Sequence, residues 1–276
     1  MVIDAQGNYL IPGLVDIHFH GCAGHDFSDG TPEALEAIAA YELKNGITSI
    51  CPASMTLFED TLAGVCENAY AYYTKPASDQ PEGSRLCGIH LEEPEEFIRE
   101  LSSKVHISVG HTCSDYDTAR KAFELGADHV THFFNAMPAF THRAPGVFGA
   151  AFDEKHVMPE MICDGVHISP SAVRVVFSLF GKERMIMISD SMMATGMEDG
   201  NYSLGGLPVT VRGNLATLKD GTIAGSATNL MDCVRTVVKK MEIPFETAVR
   251  YATYNPAKAI GGDYFFKNVL RYSQYC

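Results

Sequence analysis

Apolar stretches of strand length alternate with amphipathic stretches of helix length through most of this chain. That alternation constrains the fold more than any other feature. Strands are predicted over 13–20, 47–55, 85–92, 106–111, 129–134, 157–163 and 184–189. Helices are predicted over 31–44, 58–73, 95–103, 115–125 and 169–180, and two more, 229–241 and 245–254, follow later. The punctuation agrees. Thr31-Pro32 reads as an N-cap and first helical residue, Leu35, Ile38, Ala39 and Leu43 form a buried stripe, and Asn45-Gly46 closes the turn. Strands separated by helical crossovers must run parallel, so the pattern predicts an α/β fold with its helices packed on the sheet.

Four stretches depart from the rule. Residues 2–11 read as a strand-turn-strand piece around Gly7-Asn8, and 202–224 as a β-meander insertion turning at Gly205-Gly206, Gly213-Asn214 and Asp220-Gly221. Residues 134–157 read as a long loop, and 262–276 carry no pattern. The expected organisation is a short β piece over 1–12, one main domain over 13–261 and an unassigned tail over 262–276. With 276 residues, 46% of them hydrophobic, the chain can bury a sizeable single core. A formal charge of −13 argues against nucleic acid and anionic membranes as partners. No apolar run reaches the roughly 20 residues of a membrane span, and no signal-peptide pattern opens the chain. The eight cysteines are scattered without a C-x-x-C pair, which fits reduced thiols and a cytoplasmic location.

Polar residues collect at the C-terminal ends of the predicted strands. His18 and His20, two apart on one strand, point the same way. Glu92, His111, His132, Asp164 with His167, and Asp190 follow at the ends of later strands. In a parallel barrel that end carries the chemistry. Histidine and carboxylate donors suit Zn²⁺ or a similar divalent ion, which lowers the pKa of a bound water toward about 7. Asp190 is then available as the general base that takes the water's proton and passes it to a leaving amine. Serine catalysis has no support, since G-x-S-x-G is absent, and neither a P-loop nor a dinucleotide fingerprint occurs. His90 reads as a structural neighbour of Glu92, and His25, His106, His129 and His156 as loop or strand-start residues.

The motifs are Pro12-Gly13-x-x-Asp16-x-His18-x-His20-Gly21, Gly88-x-His90-Leu91-Glu92, Gly110-His111-Thr112, Thr131-His132-x-x-Asn135-Ala136-Met137, His142-Arg143-x-Pro145-Gly146, Cys163-Asp164-Gly165-x-His167, Ser189-Asp190 and Ala224-Gly225-Ser226. Taken together, they resemble the amidohydrolase superfamily and, within it, the N-acetylglucosamine-6-phosphate deacetylase family. The resemblance implies a (β/α)₈ TIM-like barrel with remnants of a small β-sandwich, working as a homodimer in amino-sugar catabolism. It implies hydrolysis of the acetamide of N-acetyl-D-glucosamine 6-phosphate, with a metal-bound water as nucleophile and Asp190 as acid and base. Glu92, His111 and His132 would hold one Zn²⁺, and His18 and His20 a second. Asn135, Ala136, Arg143, Asp164, His167, Ile223, Ala224 and Gly225 would line the sugar-phosphate site, Arg143 reaching the partner subunit. Arginine is a suitable fork for phosphate on chemical grounds alone. The alternatives are a dihydroorotase-like or dipeptidase-like amidohydrolase, or a metal-binding homologue without activity.

Two departures from the family pattern sit together. Glu93 stands where the family has glycine, and the substrate loop after Glu92, with its histidine, is absent. Only about seven parallel strands can be counted, whereas a closed barrel of this class needs eight. The expectation is that an internal segment is missing between about Glu92 and Glu95.

Overall fold

A computed structural model describes residues 5–76, 79, 81–91 and 104–261. Its strands, in chain order, are β1 (Leu14–Asp16), β2 (Gly21–Cys22), β3 (His25–Asp26), β4 (Ile47–Ile50), β5 (Arg85–Leu86), β6 (Ser108–Val109), β7 (His129–Val130), β8 (Met158–Ile162), β9 (Ile186–Ile188), β10 (Gly200–Leu204), β11 (Leu207–Arg212) and β12 (Leu215–Thr217). Two parallel ladders, β1-β4-β5 and β6-β7-β8-β9, carry the framework. Backbone bonds from Asp190 N–H to the His18 carbonyl (3.1 Å) and from His20 N–H to the Ser191 carbonyl (2.7 Å) join β9 to β1. The parallel staves therefore run β6-β7-β8-β9-β1-β4-β5, the cyclic order of a barrel. Among the described residues β5 and β6 do not pair, and the chain between them includes 92–103, which lies outside the description. The predicted helix 95–103 and the junction at Glu92–Glu95 fall in that segment.

The helices form where capping and periodicity predict them. Pro32–Lys44 begins with Thr31 Oγ1 accepting from Ala34 N–H, Tyr116–Glu124 with Asp115 accepting from Thr118 N–H, and Leu230–Lys240 with Asn229 accepting from Asp232 N–H. Their apolar stripes (Leu35 and Ile38, Ala119 and Phe123, Val234 and Val237) pack on Leu14, Ile47, Val130 and Met161 of the sheet. A smaller cluster brings Val15, Ile17, Cys51, Ile162, Ile186 and Ile188 of the strand segments against Ala257 and Ala259 of the helix Tyr254–Ala259. The meander β10-β11-β12 is antiparallel and lays Val209, Val211 and Ala216 on Met192 and Ala194, just beyond Asp190.

Two expectations need correction. The described part of the N-terminal piece, from Ala5 to Gly13, contains a turn at Gln6-Gly7 and no strand. Tyr9 and Leu10 are 80% and 75% exposed, and a lone hairpin with no sheet to pack on is marginal in water. The predicted loop 134–157 contains the helix Gly146–Asp153. It has no side-chain cap and two glycines, so its local signals read as loop. Packing decides instead, since Val147, Ala150 and Ala151 are buried in the main core. The described cysteines carry no disulfide, and no helix among the described residues is long and apolar enough to cross a membrane.

Candidate metal centre

Where β1 and β9 end, His18, His20 and Asp190 meet. Asp190 Oδ1 lies 3.6 Å from His18 Nε2 and 3.6 Å from His20 Nε2, and all three residues are buried. Their ligand atoms stand within 4.8 Å of one another. The His20 ring is fixed from behind, because its Nδ1 lies 3.2 Å from the Ala53 carbonyl. Donation of Nδ1–H to that carbonyl leaves the Nε2 lone pair facing Asp190, the arrangement found behind metal-bound histidines. Asp16, on the same strand, is also buried; it accepts from His18 N–H and Ser189 N–H and so ties the two strand ends together. Burial pushes the Asp16 carboxyl up to about 7.

A second pair of histidines closes on this group from β6 and β7. His111 Nε2 and His132 Nε2 are 2.8 Å apart, and the His132 ring centroid lies 5.8 Å from that of His18. Burial, reinforced by neighbouring rings, holds His18 well below the usual imidazole range and His132 down at about 3. Both rings are therefore neutral at physiological pH, which is the form that binds a metal. Neutral imidazoles converging with a carboxylate fit a Zn²⁺-type ion. Glu92 lies outside the described residues.

The backbone at these positions is under strain. His111, His132 and Asp190 have φ of 44°, 28° and 50°, and Phe134 and Ala136 beside them 77° and 51°. Such left-handed conformations cost a non-glycine residue of order 1–3 kcal/mol each and persist where the surroundings enforce them. Gly110 shows how closely the strands approach: a Cβ there would stand 2.7 Å from Thr131 Cβ.

The residues expected to line a substrate site are held by local contacts of their own segments. Asp164 Oδ2 bonds His167 Nδ1 at 2.8 Å, and its Oδ1 accepts from Val166 and His167 N–H, so the carboxylate serves the turn that aims His167. Burial pulls the His167 ring down, yet the bond from Asp164 and the field of Asp190 hold it above its ordinary value. Asn135 Nδ2 donates to the His132 carbonyl at 3.0 Å and braces that strand end. Ala136 and Arg143 are exposed, Arg143 at the tip of a turn closed by Thr141 and Ala144. Ile223 is 39% exposed; Ala224 N–H donates to Ala216, and Gly225 precedes Ser226, whose N–H donates to the Asp190 carbonyl.

Two further side chains lie against His18. The His90 ring packs edge-on at 4.4 Å from His18, and burial holds it down at about 4. Glu160 approaches the other side of His18 at 3.8 Å. A lone carboxylate inside the apolar run 157–163 was the available signal for it. His106, Asp128 and His129 form a further grouping, but one that closes on itself: Asp128 accepts from His106 Nδ1 at 2.6 Å, His129 Nδ1 at 2.8 Å and Ile107 N–H at 3.1 Å. It ties together the starts of β6 and β7.

A parallel α/β framework with histidines and an aspartate at its strand ends is the layout of a metal-dependent hydrolase, and residues 91–264 match the model of the amidohydrolase family, to which this chain belongs. Within that family its relatives are amino-sugar phosphate deacetylases. It is 31% identical to the N-acetylglucosamine-6-phosphate deacetylase of Bacillus subtilis, over 91% of this chain and 75% of that one. It is 27% identical to the N-acetylgalactosamine-6-phosphate deacetylase of Escherichia coli O157:H7, over 95% and 81%. The crystal structure of N-acetylglucosamine-6-phosphate deacetylase from Pasteurella multocida superposes with a TM-score of 0.85 at 28% identity, covering 95% of this chain and 79% of that chain. The B. subtilis alignment runs over 299 positions yet uses 91% of a 276-residue chain, so roughly fifty positions of the relative face no residue here.

Proposed function

We propose that this chain hydrolyses the acetamide of N-acetyl-D-glucosamine 6-phosphate, giving acetate and D-glucosamine 6-phosphate. The observation that carries the reading is the meeting of His18 and His20 with Asp190 at the strand ends, with His132 of the His111–His132 pair beside the His18 ring, in a chain similar to deacetylases of that substrate. His111 and His132, with Glu92, would hold one divalent ion, and His18 and His20 a second; Zn²⁺ is the ion their chemistry favours. Such an ion supplies Lewis acidity and a water of lowered pKa. Asp190 takes the proton of the attacking water as its oxygen bonds to the acetamide carbon. It returns that proton to the sugar nitrogen as the C–N bond breaks. Asn135, Ala136, His167 and the stretch 223–225 surround the sugar, with Asp164 orienting His167. Arg143 pairs with the phosphate, reaching across a homodimer to the partner's site. The expected setting is cytoplasmic amino-sugar breakdown.

The test is acetate release from N-acetylglucosamine 6-phosphate, with and without added Zn²⁺. Unphosphorylated N-acetylglucosamine serves as control, and N-acetylgalactosamine 6-phosphate as a second substrate. Metal-dependent release that requires the phosphate supports the proposal, and the epimer arm fixes the sugar. No release by the metal-loaded protein from either phosphorylated sugar would overturn it.

A further inference from the structure

Glu160 is the one carboxylate in the apolar run 157–163, and it is 2% exposed. Its position is fixed by the strand: it pairs in register with Ile186, and its carbonyl accepts from Phe133 N–H at 2.7 Å. Its side chain reaches the metal centre from below. Oε2 stands 3.8 Å from His18 Nδ1, a little beyond hydrogen-bond length, and has no hydrogen-bond partner among the described residues. The opposite nitrogen of the same ring, His18 Nε2, faces Asp190 at 3.6 Å. His18 is thus held between two carboxylates, one on each nitrogen. His20 offers the comparison, since its Nδ1 faces a fixed backbone acceptor, the Ala53 carbonyl. A buried carboxyl in a strand of Met, Pro and Ile costs stability that an apolar side chain of the same size would not.

We infer that Glu160 is a positioning residue for His18: a carboxyl oxygen of Glu160 accepts Nδ1–H and so keeps the ring in the tautomer whose Nε2 lone pair faces the ion. The inference rests on the reading of His18 as a metal ligand under the proposed function. It assigns Glu160 no contact with substrate or with the reacting atoms. Metal-bound histidines are generally held this way, and loss of the supporting acceptor commonly lowers metal affinity by about 10–100-fold.

The test compares the parent protein with Glu160→Gln, Glu160→Met and His18→Ala. Each is stripped of metal and titrated with Zn²⁺ against a chromogenic chelator, and each is loaded with Co²⁺ for its visible spectrum. Glu160→Met keeps the volume of the side chain, so its metal-free form should melt at or above the parent's temperature. It should bind Zn²⁺ about 10–100-fold more weakly at the position that His18→Ala abolishes, with altered Co²⁺ bands. Glu160→Gln retains an oxygen that accepts Nδ1–H and should recover most of the affinity and the parental spectrum. A folded Glu160→Met with parental affinity and spectrum would overturn the inference while leaving the proposed function standing, as would a Gln variant no better than Met. If His18→Ala removes no Zn²⁺ site, the metal reading itself falls, and this inference with it.

Discussion

Glu42 offers a test of the core that does not depend on activity. It lies in the helix Pro32–Lys44 with its side chain fully buried, beside the Cys22 thiol and within the field of Asp16. Burial, then Asp16, pushes its carboxyl from 4.5 up to about 8, and Cys22 offsets a little of that. Between those two values the folded chain keeps a proton that the unfolded chain has released. Stability from this group is therefore complete below pH 4.5 and is lost as pH rises through about 8. One proton is worth about 1.4 kcal/mol per pH unit, so the loss over that window is about 3–5 kcal/mol. Glu42→Gln removes this proton but buries an amide N–H₂ without a partner, at a cost of about 1–3 kcal/mol. The variant should be less stable than the parent at pH 5 and more stable at pH 8, with the curves crossing between about 5 and 7. Urea unfolding at pH 5, 6, 7 and 8 measures it, the readout being the difference in slope of stability against pH. Parallel curves would show that Glu42 is ionised in the folded protein, and the reasoning from burial would be wrong.

Asp190→Asn keeps the shape and removes the base, so turnover of the phosphorylated sugar should fall by about 10²–10⁴ in steady-state assays; ordinary turnover would sink the assignment. Arg143→Ala should raise KM for the phosphorylated sugar and leave the unphosphorylated analogue unaffected, which parallel kinetics decide. Asp128→Asn should lower stability by about 1–2 kcal/mol in denaturant melts by loosening His106, His129 and Ile107 from one carboxylate; an unchanged midpoint would refute the tether. The protein purified from its natural source should be longer than 276 residues by an internal segment at about the Glu92–Glu95 junction. Peptide mapping by mass spectrometry tests this, and a peptide reading directly through Leu91-Glu92-Glu93-Pro94 would exclude it.

The framework was legible because its signals are local. Caps at Thr31, Asp115 and Asn229 and apolar runs of strand length each act within one element, and the strand ends in turn pointed to His18, His20, His111, His132 and Asp190. What was missed depends on packing across the chain. The helix Gly146–Asp153 has no cap and owes its place to Val147, Ala150 and Ala151 in the core. Glu160 gains its meaning from a ring on another strand, His18, which spacing within its own segment cannot reveal.

The left-handed backbone at His111, His132 and Asp190 sets a direction for laboratory evolution. At each of these positions glycine, or asparagine to a lesser degree, would relieve strain that the present side chain maintains. A library selected only for heat resistance or expression would therefore gain by replacing the very residues that converge at the strand ends, and would erode the centre before it touched the core. Selection on this scaffold must keep a catalytic or metal-binding screen in every round, and stabilising substitutions are better sought at exposed positions such as Tyr9, Leu10 and Phe58.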